Sequence, residues 1–209
     1  LIGTQAEAQI SASPDQLKNC KEILNDKCSK SAFDGFLTFV IGENGMDLAL
    51  KFGIPANQII KTGNWVGPLL VAAAENGVKK LLLFGYHGKL VKLSGGVFHT
   101  HHHLADGRLE ILTSLAVREA ISFDLINLIS KSTSVENALL TLEVSNPEAI
   151  SLIWGRMAKE IEIKSQSYVN RYLSSSMEIG SVLFDRKRQI RWAGFEGLKQ
   201  INSLGLMLK

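Results

Sequence analysis

The pattern of apolar and polar positions near the start of the chain predicts a helix, a buried strand and a second helix. Ser13 is a suitable N-cap and Gln16 its capping-box partner, so a helix is expected over residues 14–29. Residues 36–41 form a short apolar run, and residues 46–52 have helical spacing and are followed by a glycine that can end the helix. This order is typical of a strand, a glycine turn and a helix.

The same order recurs in the following segment. Residues 58–61 are a candidate strand, residues 66–76 an apolar helix that ends at a glycine, and residues 80–84 a third strand. Apolar strands that alternate with helices indicate an α/β fold with a mainly parallel sheet and helices on both faces. We therefore predict that residues 36–41, 58–61 and 80–85 lie side by side, with their glycine turns along the ligand-binding edge of the sheet.

The second half of the chain is predicted to be mainly helical and to end in a hairpin. Helical patterns cover residues 105–130, 135–142 and 147–168, and Asn146 is a suitable N-cap for the last of them. Residues 178–184 and 189–192 alternate apolar and polar side chains on either side of a charged turn. This alternation predicts a late antiparallel hairpin added to the mainly parallel sheet.

A single α/β domain is the predicted organisation of residues 1–209. Residues 1–120 carry the unusual motifs, whereas residues 121–209 add a helical cover and the terminal hairpin. With 45% hydrophobic residues and a mean hydropathy of +0.10, the chain can bury a substantial core. Its net charge is only +3 and the signs are interspersed, so no nucleic-acid-binding surface is expected.

The composition also indicates a reduced, cytoplasmic protein. No apolar run approaches the roughly 20 residues that span a bilayer, and the first residues lack the charged flank of a signal peptide. Cys20 and Cys28 lie on one predicted helix at a spacing that suits neither a disulfide within one turn nor a zinc motif. We therefore expect two reduced thiols and no membrane partner.

Glycine and lysine are concentrated in the loops after the second and third strands. Glycines at such positions let backbone amides approach an anionic ligand, and Lys89 and Lys92 could add positive charge on one face of a helical turn. A solvated helix face explains the two lysines equally well. The segment is Gly85-Tyr86-His87-Gly88-Lys89-Leu90-Val91-Lys92-Leu93, which lacks the spacing and the final hydroxyl residue of a Walker A loop.

Four histidines follow this segment at His99, His101, His102 and His103. Imidazole is a frequent metal ligand, but adjacent side chains diverge in direction, so at most two of the four could readily share one ion. A buried histidine that is hydrogen-bonded to backbone carbonyls is the simpler interpretation for any one of them.

Two acids flank the end of the same motif-rich stretch. On a helix that begins near Ala105, Asp106 and Glu110 would lie on one face. Asp106 would be in the first turn, where the helix dipole stabilises a carboxylate. Capping of the helix is the simpler role for Asp106, and either acid could pair with Arg108.

These motifs together resemble the central signature of the cobalt-precorrin-5B C1-methyltransferase family. The resemblance covers roughly residues 1–120 well and the remainder loosely. The family has a small hydroxyl residue after the Thr-His pair, where this chain has His102, and it has a further glycine-rich domain before the match to residues 2–4, so the chain is expected to be its C-terminal part. The matching motifs are Gly63-Asn64-Trp65-Val66-Gly67, the Gly85 to Leu93 segment above, Gly96-Val97-Phe98 with Thr100-His101, and Ala105-Asp106-Gly107-Arg108-Leu109-Glu110.

The resemblance implies transfer of a methyl group from S-adenosylmethionine to C1 of cobalt-precorrin-5B, which gives cobalt-precorrin-6A in anaerobic cobalamin biosynthesis. Cobalt enters only as part of the anionic tetrapyrrole substrate, the protein holds no metal of its own, and the subunits could form a homo-oligomer. The residues that the resemblance assigns are His101 and Asp106 for catalysis, Gly63, Asn64, Gly67 and Glu110 for the cofactor, and Gly85, His87, Gly88, Lys89, Lys92, Thr100 and Arg108 for the substrate.

Two other functions use the same histidines. One is a noncatalytic tetrapyrrole or metal carrier that binds through residues 99–103, and the other is a metal-dependent hydrolase with His101 and Asp106 as ligands. Neither uses the glycine-lysine segment or the Asn64 turn, whereas a methyltransferase uses both. Tight binding of S-adenosylhomocysteine would separate the methyltransferase from the other two.

Overall fold

A computed structural model describes residues 13–42, 45–101 and 106–208. The strands are β1 (Phe36–Ile41), β2 (Ile59–Lys61), β3 (Lys80–Tyr86), β4 (Glu178–Phe184) and β5 (Ile190–Ala193). A short 3-10 helix, Ala56–Gln58, precedes β2. The helices are α1 (Pro14–Cys28), α2 (Met46–Phe52), α3 (Val66–Glu75), α4 (His87–Ser94), α5 (Arg108–Arg118), α6 (Phe123–Ser130), α7 (Val135–Ser145), α8 (Pro147–Asn170) and α9 (Phe195–Ser203).

The local signals at the start of the chain act as predicted. The Ser13 side chain accepts a hydrogen bond from the backbone N–H of Gln16 at 3.2 Å, which starts α1. The strand β1 and the helix α2 have the predicted bounds, and Gly53 ends α2 in the left-handed conformation with φ +106°. Cys20 and Cys28 both lie on α1 and form no disulfide.

The five strands form one sheet in the order β2-β1-β3-β4-β5. The pairs β1–β2, β1–β3 and β3–β4 are parallel, and β4–β5 is antiparallel. The prediction that the first three strands lie side by side is confirmed, as is the late antiparallel hairpin. The sequence did not indicate that β4 would pair with β3, and this pairing brings the hairpin turn to the carboxyl ends of the parallel strands.

Both faces of the sheet are buried under helices, as predicted. In β3, Leu81 and Leu83 belong to the larger core, which the sheet shares with α1 and α3–α8. Leu82 and Phe84 point the other way, into a smaller core with α2 and α9. Because successive strand residues alternate between faces, a strand covered on both sides is apolar throughout.

The helical half of the chain is more divided than the sequence predicted. The helix expected to begin near Ala105 begins instead at Arg108, after a left-handed Gly107 with φ +60°. The helical region then breaks after Arg118, where Ala120 is left-handed with φ +52°. Of the helices that the structure describes, none is both long enough and apolar enough to cross a membrane.

Candidate functional site

The third parallel strand passes directly into the helix α4, so the predicted glycine turn at Gly85 to Gly88 is wrong. Gly85 lies within β3, and a Cβ added there would be 3.2 Å from the backbone oxygen of Ile41. Gly88 lies in the first turn of α4, where a Cβ would be 2.4 Å from the Tyr86 ring. Close packing therefore requires both glycines, independently of any ligand.

At this strand end, Tyr86 and His87 share one carboxylate. Glu136, in the first turn of α7, accepts a hydrogen bond from the Tyr86 hydroxyl at 3.0 Å and contacts Nε2 of His87 at 2.7 Å, both through Oε2. The His87 side chain is 1% exposed, and its ring also lies edge-on to Trp154. A neutral His87 with its proton on Nε2 fits this contact, because that nitrogen then donates to the carboxylate.

Burial sets the protonation of both residues. Burial lowers the pKa of His87 below its ordinary value, although the Glu136 carboxylate opposes this shift. Burial, reinforced by Glu136, raises the pKa of Tyr86 to about 12. At neutral pH the group therefore contains a neutral imidazole and a protonated phenol.

A cavity of about 210 Å³ opens at the carboxyl ends of β1, β3 and β4. This is the edge at which ligands bind in parallel α/β sheets. Among the described residues, three cationic side chains and one carboxylate line it. The described residues that line it are Ile41, Gly42, Tyr86, Lys89, Phe184, Asp185, Arg186 and Arg188.

The cations of this cavity come from two elements. Lys89 projects from the first turn of α4, and Arg186 and Arg188 come from the turn between β4 and β5. The sequence identified Lys89 but interpreted the arginines only as the charged turn of a hairpin. The run of positive charge in this turn was the sequence feature that could have identified them. The parallel pairing of β4 with β3 brings the turn to the cavity.

A second group of predicted residues lies where the loop after α4 meets the turn after β2. The Thr100 hydroxyl donates to the side-chain oxygen of Asn64 at 2.9 Å, and the Thr100 N–H donates to the Asn64 backbone oxygen at 3.1 Å. Gly63, in that turn, is left-handed with φ +59°. Asn64 is 3% exposed, so its side chain holds this loop against the turn.

Gly67 lies in the first turn of α3 and is closely packed. Its N–H donates to the backbone oxygen of Phe98 at 3.0 Å. A Cβ at this position would be 2.6 Å from the Tyr168 hydroxyl and 2.9 Å from Cβ of Phe98. The space beside this glycine is filled by protein, which accounts for the residue through packing.

Lys92 is buried, so the solvated-face interpretation is wrong for it. Its residue is 1% exposed, and its ammonium group donates to the backbone oxygens of Thr100 and His101, each at 3.4 Å. Burial lowers its pKa, and the nearby Asp106 carboxylate opposes the shift. Lys89 and Lys92 therefore differ in position: Lys89 lines the cavity, whereas Lys92 lies beneath the Thr100–His101 loop.

The described part of the histidine cluster lies on the same loop. His101 is 8% exposed, and its ring centroid is 6.4 Å from that of His99. His99 packs edge-on against Trp65 at 4.4 Å, and neither of its buried ring nitrogens has a hydrogen-bond partner among the described residues. Burial lowers the pKa of His99, and His101 and Lys92 lower it further. His102 and His103 lie outside the described residues.

Asp106 and Glu110 do not share a helix face as predicted, because the helix begins only at Arg108, but the expected pairing of an acid with Arg108 is confirmed for Asp106. Asp106 precedes the helix, and its carboxylate pairs with both Nε and Nη2 of Arg108. This pairing holds the pKa of Asp106 below its ordinary value. Glu110 is exposed in the first turn of α5, where it borders, with Asp106, Arg108 and Ser134, a second cavity of about 210 Å³.

The predicted site residues thus lie in three neighbouring places. Lys89 borders the cationic cavity, with Gly85, His87 and Gly88 packed at the same strand end. Asn64, Gly67, Lys92, Thr100 and His101 meet under the loop after α4, and Asp106, Arg108 and Glu110 border the second cavity. Gly63, Asn64 and Gly67 line neither cavity.

Two further observations concern the rest of the described structure. Over residues 13–42, 45–101 and 106–208, no group of three or more His, Cys, Asp or Glu side chains is arranged to hold a metal ion. A larger groove of about 950 Å³ runs between α8, the start of β4 and α9, and none of the predicted site residues lines it.

Comparison with known proteins adds to this geometry. The family described as "CbiD, C-terminal domain" matches residues 99–194. Two Prochlorococcus marinus proteins named cobalt-precorrin-5B C(1)-methyltransferase, from strains NATL1A and NATL2A, are 89% and 88% identical over 209 residues, and that of strain SARG is 58% identical. All of the chain is covered in each case, but only 55% of the relative, so the chain spans about half the length of these proteins. No solved structure matches the chain significantly. Because its similarity extends over every residue, the chain belongs to the CbiD family.

Proposed function

We propose that this chain is part of a methyltransferase that uses S-adenosylmethionine to methylate C1 of cobalt-precorrin-5B, giving cobalt-precorrin-6A in anaerobic cobalamin biosynthesis. The observation that carries the proposal is the 89% identity, over the whole chain, to a protein named for this reaction. The cationic cavity at the carboxyl ends of the parallel strands supports it, because the substrate carries acetate and propionate side chains.

The chain's own residues have three tasks in this proposal. Lys89 and the two arginines of the cavity bind substrate carboxylates. The Tyr86–His87–Glu136 group fixes the strand end beside them. The loop around Thr100 and His101, held down through Asn64, orients the ring and excludes water, which favours a reactive alignment of the two substrates.

S-adenosylmethionine supplies an already activated methyl group, so no covalent nucleophile is needed on the protein. The described residues fit this cosubstrate in part. Glu110 offers a carboxylate that suits ribose hydroxyls, but the cavity of about 210 Å³ beside it holds only a fragment of the molecule. Asp106 is already paired with Arg108, so it is a less suitable ribose partner. The cofactor residues therefore stay predictions.

His101 is the proposed proton-handling residue. It is buried on the loop above Lys92, and Lys92 donates to its backbone oxygen. A histidine at this position can accept a proton as the new bond forms, or it can hydrogen-bond a substrate carboxylate and orient the ring. Kinetics separate the two roles, because loss of a proton acceptor lowers the rate of the chemical step while loss of an orienting contact also lowers affinity.

Calorimetry with S-adenosylhomocysteine tests the proposal directly. The 209-residue chain and the whole NATL1A relative would be titrated in parallel, and each would be assayed for methyl transfer to cobalt-precorrin-5B in a single turnover. We expect the relative to bind S-adenosylhomocysteine and to transfer the methyl group. If the relative did neither, a tetrapyrrole carrier would become the better explanation of the cationic cavity.

A further inference from the structure

The turn between β4 and β5 places two arginines at the functional edge of the sheet. We propose that Arg186 and Arg188, together with Lys89, form a carboxylate clamp that holds one acid side chain of the substrate, with Arg186 as its specificity-determining residue. The clamp rests on the proposed function in one respect, namely that the ligand is a tetrapyrrole with several carboxylates.

The charges of the cavity favour an anion. Among the described residues that line it, the one acid is Asp185, which is 5% exposed and already engaged: Oδ1 accepts the Gln189 N–H at 2.9 Å, and Oδ2 pairs with Arg191 at 3.2 Å. Arg188 contacts Asp47 at 3.2 Å, but both side chains of that pair are largely exposed. Exposed ion pairs contribute little stability, so a ligand carboxylate can replace Asp47 at low cost.

The backbone of the turn also points to the arginine side chain. Arg188 is left-handed, with φ +62°. This conformation costs a residue with a Cβ on the order of 1 kcal/mol, and glycine or asparagine would adopt it more easily. The arginine in this strained conformation lines the cavity, so the strain coincides with a side chain that is placed to bind an anion.

The size of the cavity limits what can enter it. Its volume of about 210 Å³ lies below the roughly 300–1,000 Å³ of pockets that enclose a whole drug-sized ligand. An acetate or propionate arm fits this space, whereas a macrocycle does not. The ring would therefore remain outside the mouth, and the clamp would recognise one arm and fix the rotation of the ring relative to the strand ends.

Guanidinium groups suit this task because they bind carboxylates through two parallel N–H groups, whereas the Lys89 ammonium acts as a point charge. Gly42 leaves room for that lysine, because a Cβ added there would be 3.3 Å from Cδ of Lys89. The neighbouring Lys187 is exposed in the same turn but does not line the cavity. It provides a control of equal charge and almost equal sequence position.

Titration with uroporphyrin, a tetrapyrrole octacarboxylate, tests the clamp in the 209-residue chain at low salt. We expect Arg186→Met and Lys89→Met each to raise the dissociation constant about tenfold or more, and Lys187→Met to change it less than about twofold. Arg186→Lys should restore part of the affinity. The octamethyl ester of uroporphyrin should bind weakly to every form, because it has no carboxylate for the clamp.

S-adenosylhomocysteine binding, measured on the same samples, separates the clamp from the proposed function. Variants that keep their affinity for S-adenosylhomocysteine but lose affinity for uroporphyrin support the clamp. If wild-type chain binds both ligands and the Arg186 and Lys187 variants have equal affinity for uroporphyrin, the clamp is refuted and the methyltransferase proposal is untouched. If the wild-type chain has no affinity for uroporphyrin, the clamp is refuted, whereas the proposed function is contradicted only if the whole NATL1A relative fails to bind S-adenosylhomocysteine and to transfer the methyl group.

Discussion

Replacement of Glu162 by alanine should destabilise the chain by about 3 kcal/mol, because this residue caps α9 from a different helix. Glu162 lies on α8 and is 8% exposed. One carboxylate oxygen accepts the N–H groups of Ser181 and Gly197, each at 3.0 Å, and the other accepts that of Glu196 at 3.2 Å. The residue at the N-cap of α9, Gly194, has no side chain to do this.

The magnitude follows from the three donors. A buried N–H that loses its acceptor costs about 1–3 kcal/mol. Water from the adjacent groove of about 950 Å³ can reach the vacated space, so we take the lower end for each donor, which totals about 3 kcal/mol. A domain of this kind is typically stable by only about 5–15 kcal/mol, so the effect should be large. Glu162→Gln keeps one carbonyl acceptor and should cost about 1–2 kcal/mol.

The effect should also depend on pH. Burial raises the pKa of Glu162, against the hydrogen bonds that favour the ionised form. A carboxyl whose folded-state pKa lies above its unfolded value stabilises the fold most below that unfolded value, about 4.3, and loses this contribution as pH rises through the folded-state pKa. The glutamine of Glu162→Gln does not titrate. The difference in unfolding free energy between this variant and the wild type should therefore shrink as pH rises from about 4.

Urea unfolding, monitored by circular dichroism, measures these differences in the free energy of unfolding. Glu178→Gln is the control, since Glu178 is exposed on the wall of the same groove and should change stability by less than about 0.5 kcal/mol. An alanine variant at position 162 that unfolds within about 0.5 kcal/mol of wild type would show that the three N–H groups do not depend on this carboxylate.

Four further substitutions test other parts of the structure. Gly67→Ala should destabilise the chain by about 1–3 kcal/mol through overpacking, whereas Gly155→Ala, whose Cβ would be 3.7 Å from its nearest neighbour, should be neutral or stabilising in thermal melts. Glu136→Gln should lower the pKa of His87 further and steepen the loss of stability below about pH 6.5, as measured by NMR titration and unfolding. His101→Gln should slow single-turnover methylation by on the order of a hundredfold with substrate affinity nearly unchanged, and an unchanged rate would end its proposed catalytic role.

The sequence was sufficient for the elements whose signals are local. The caps at Ser13 and Gly53 and the apolar runs of β1 and β3 depend on neighbouring residues, and each lies where it was predicted. Two crossings from strand through helix to strand give parallel neighbours, so the parallel pairing of these strands was also predicted, whereas the order β2-β1-β3 comes from the structure. The motif order pointed to the CbiD family before any contact was known.

Local signals failed where packing decides the outcome. Lys92 has the same surroundings in sequence as a solvated lysine, but the loop at Thr100 and His101 folds over it. Gly85 and Gly88 looked like a ligand-binding turn, whereas close neighbours explain them. Sequence spacing cannot distinguish these cases, because a glycine is compatible equally with an open turn and with a crowded contact.

What the sequence determined by itself is therefore the strands, the helices with strong local signals, the parallel core of the sheet and the family. Only the tertiary structure decided which charged residues share a cavity. Lys89 and Arg186 are separated by most of the helical half of the chain, and they meet because β4 pairs with β3 in parallel. Hydrophobic periodicity fixes which face of an element is buried, but contacts between distant segments depend on how the buried faces pack against one another.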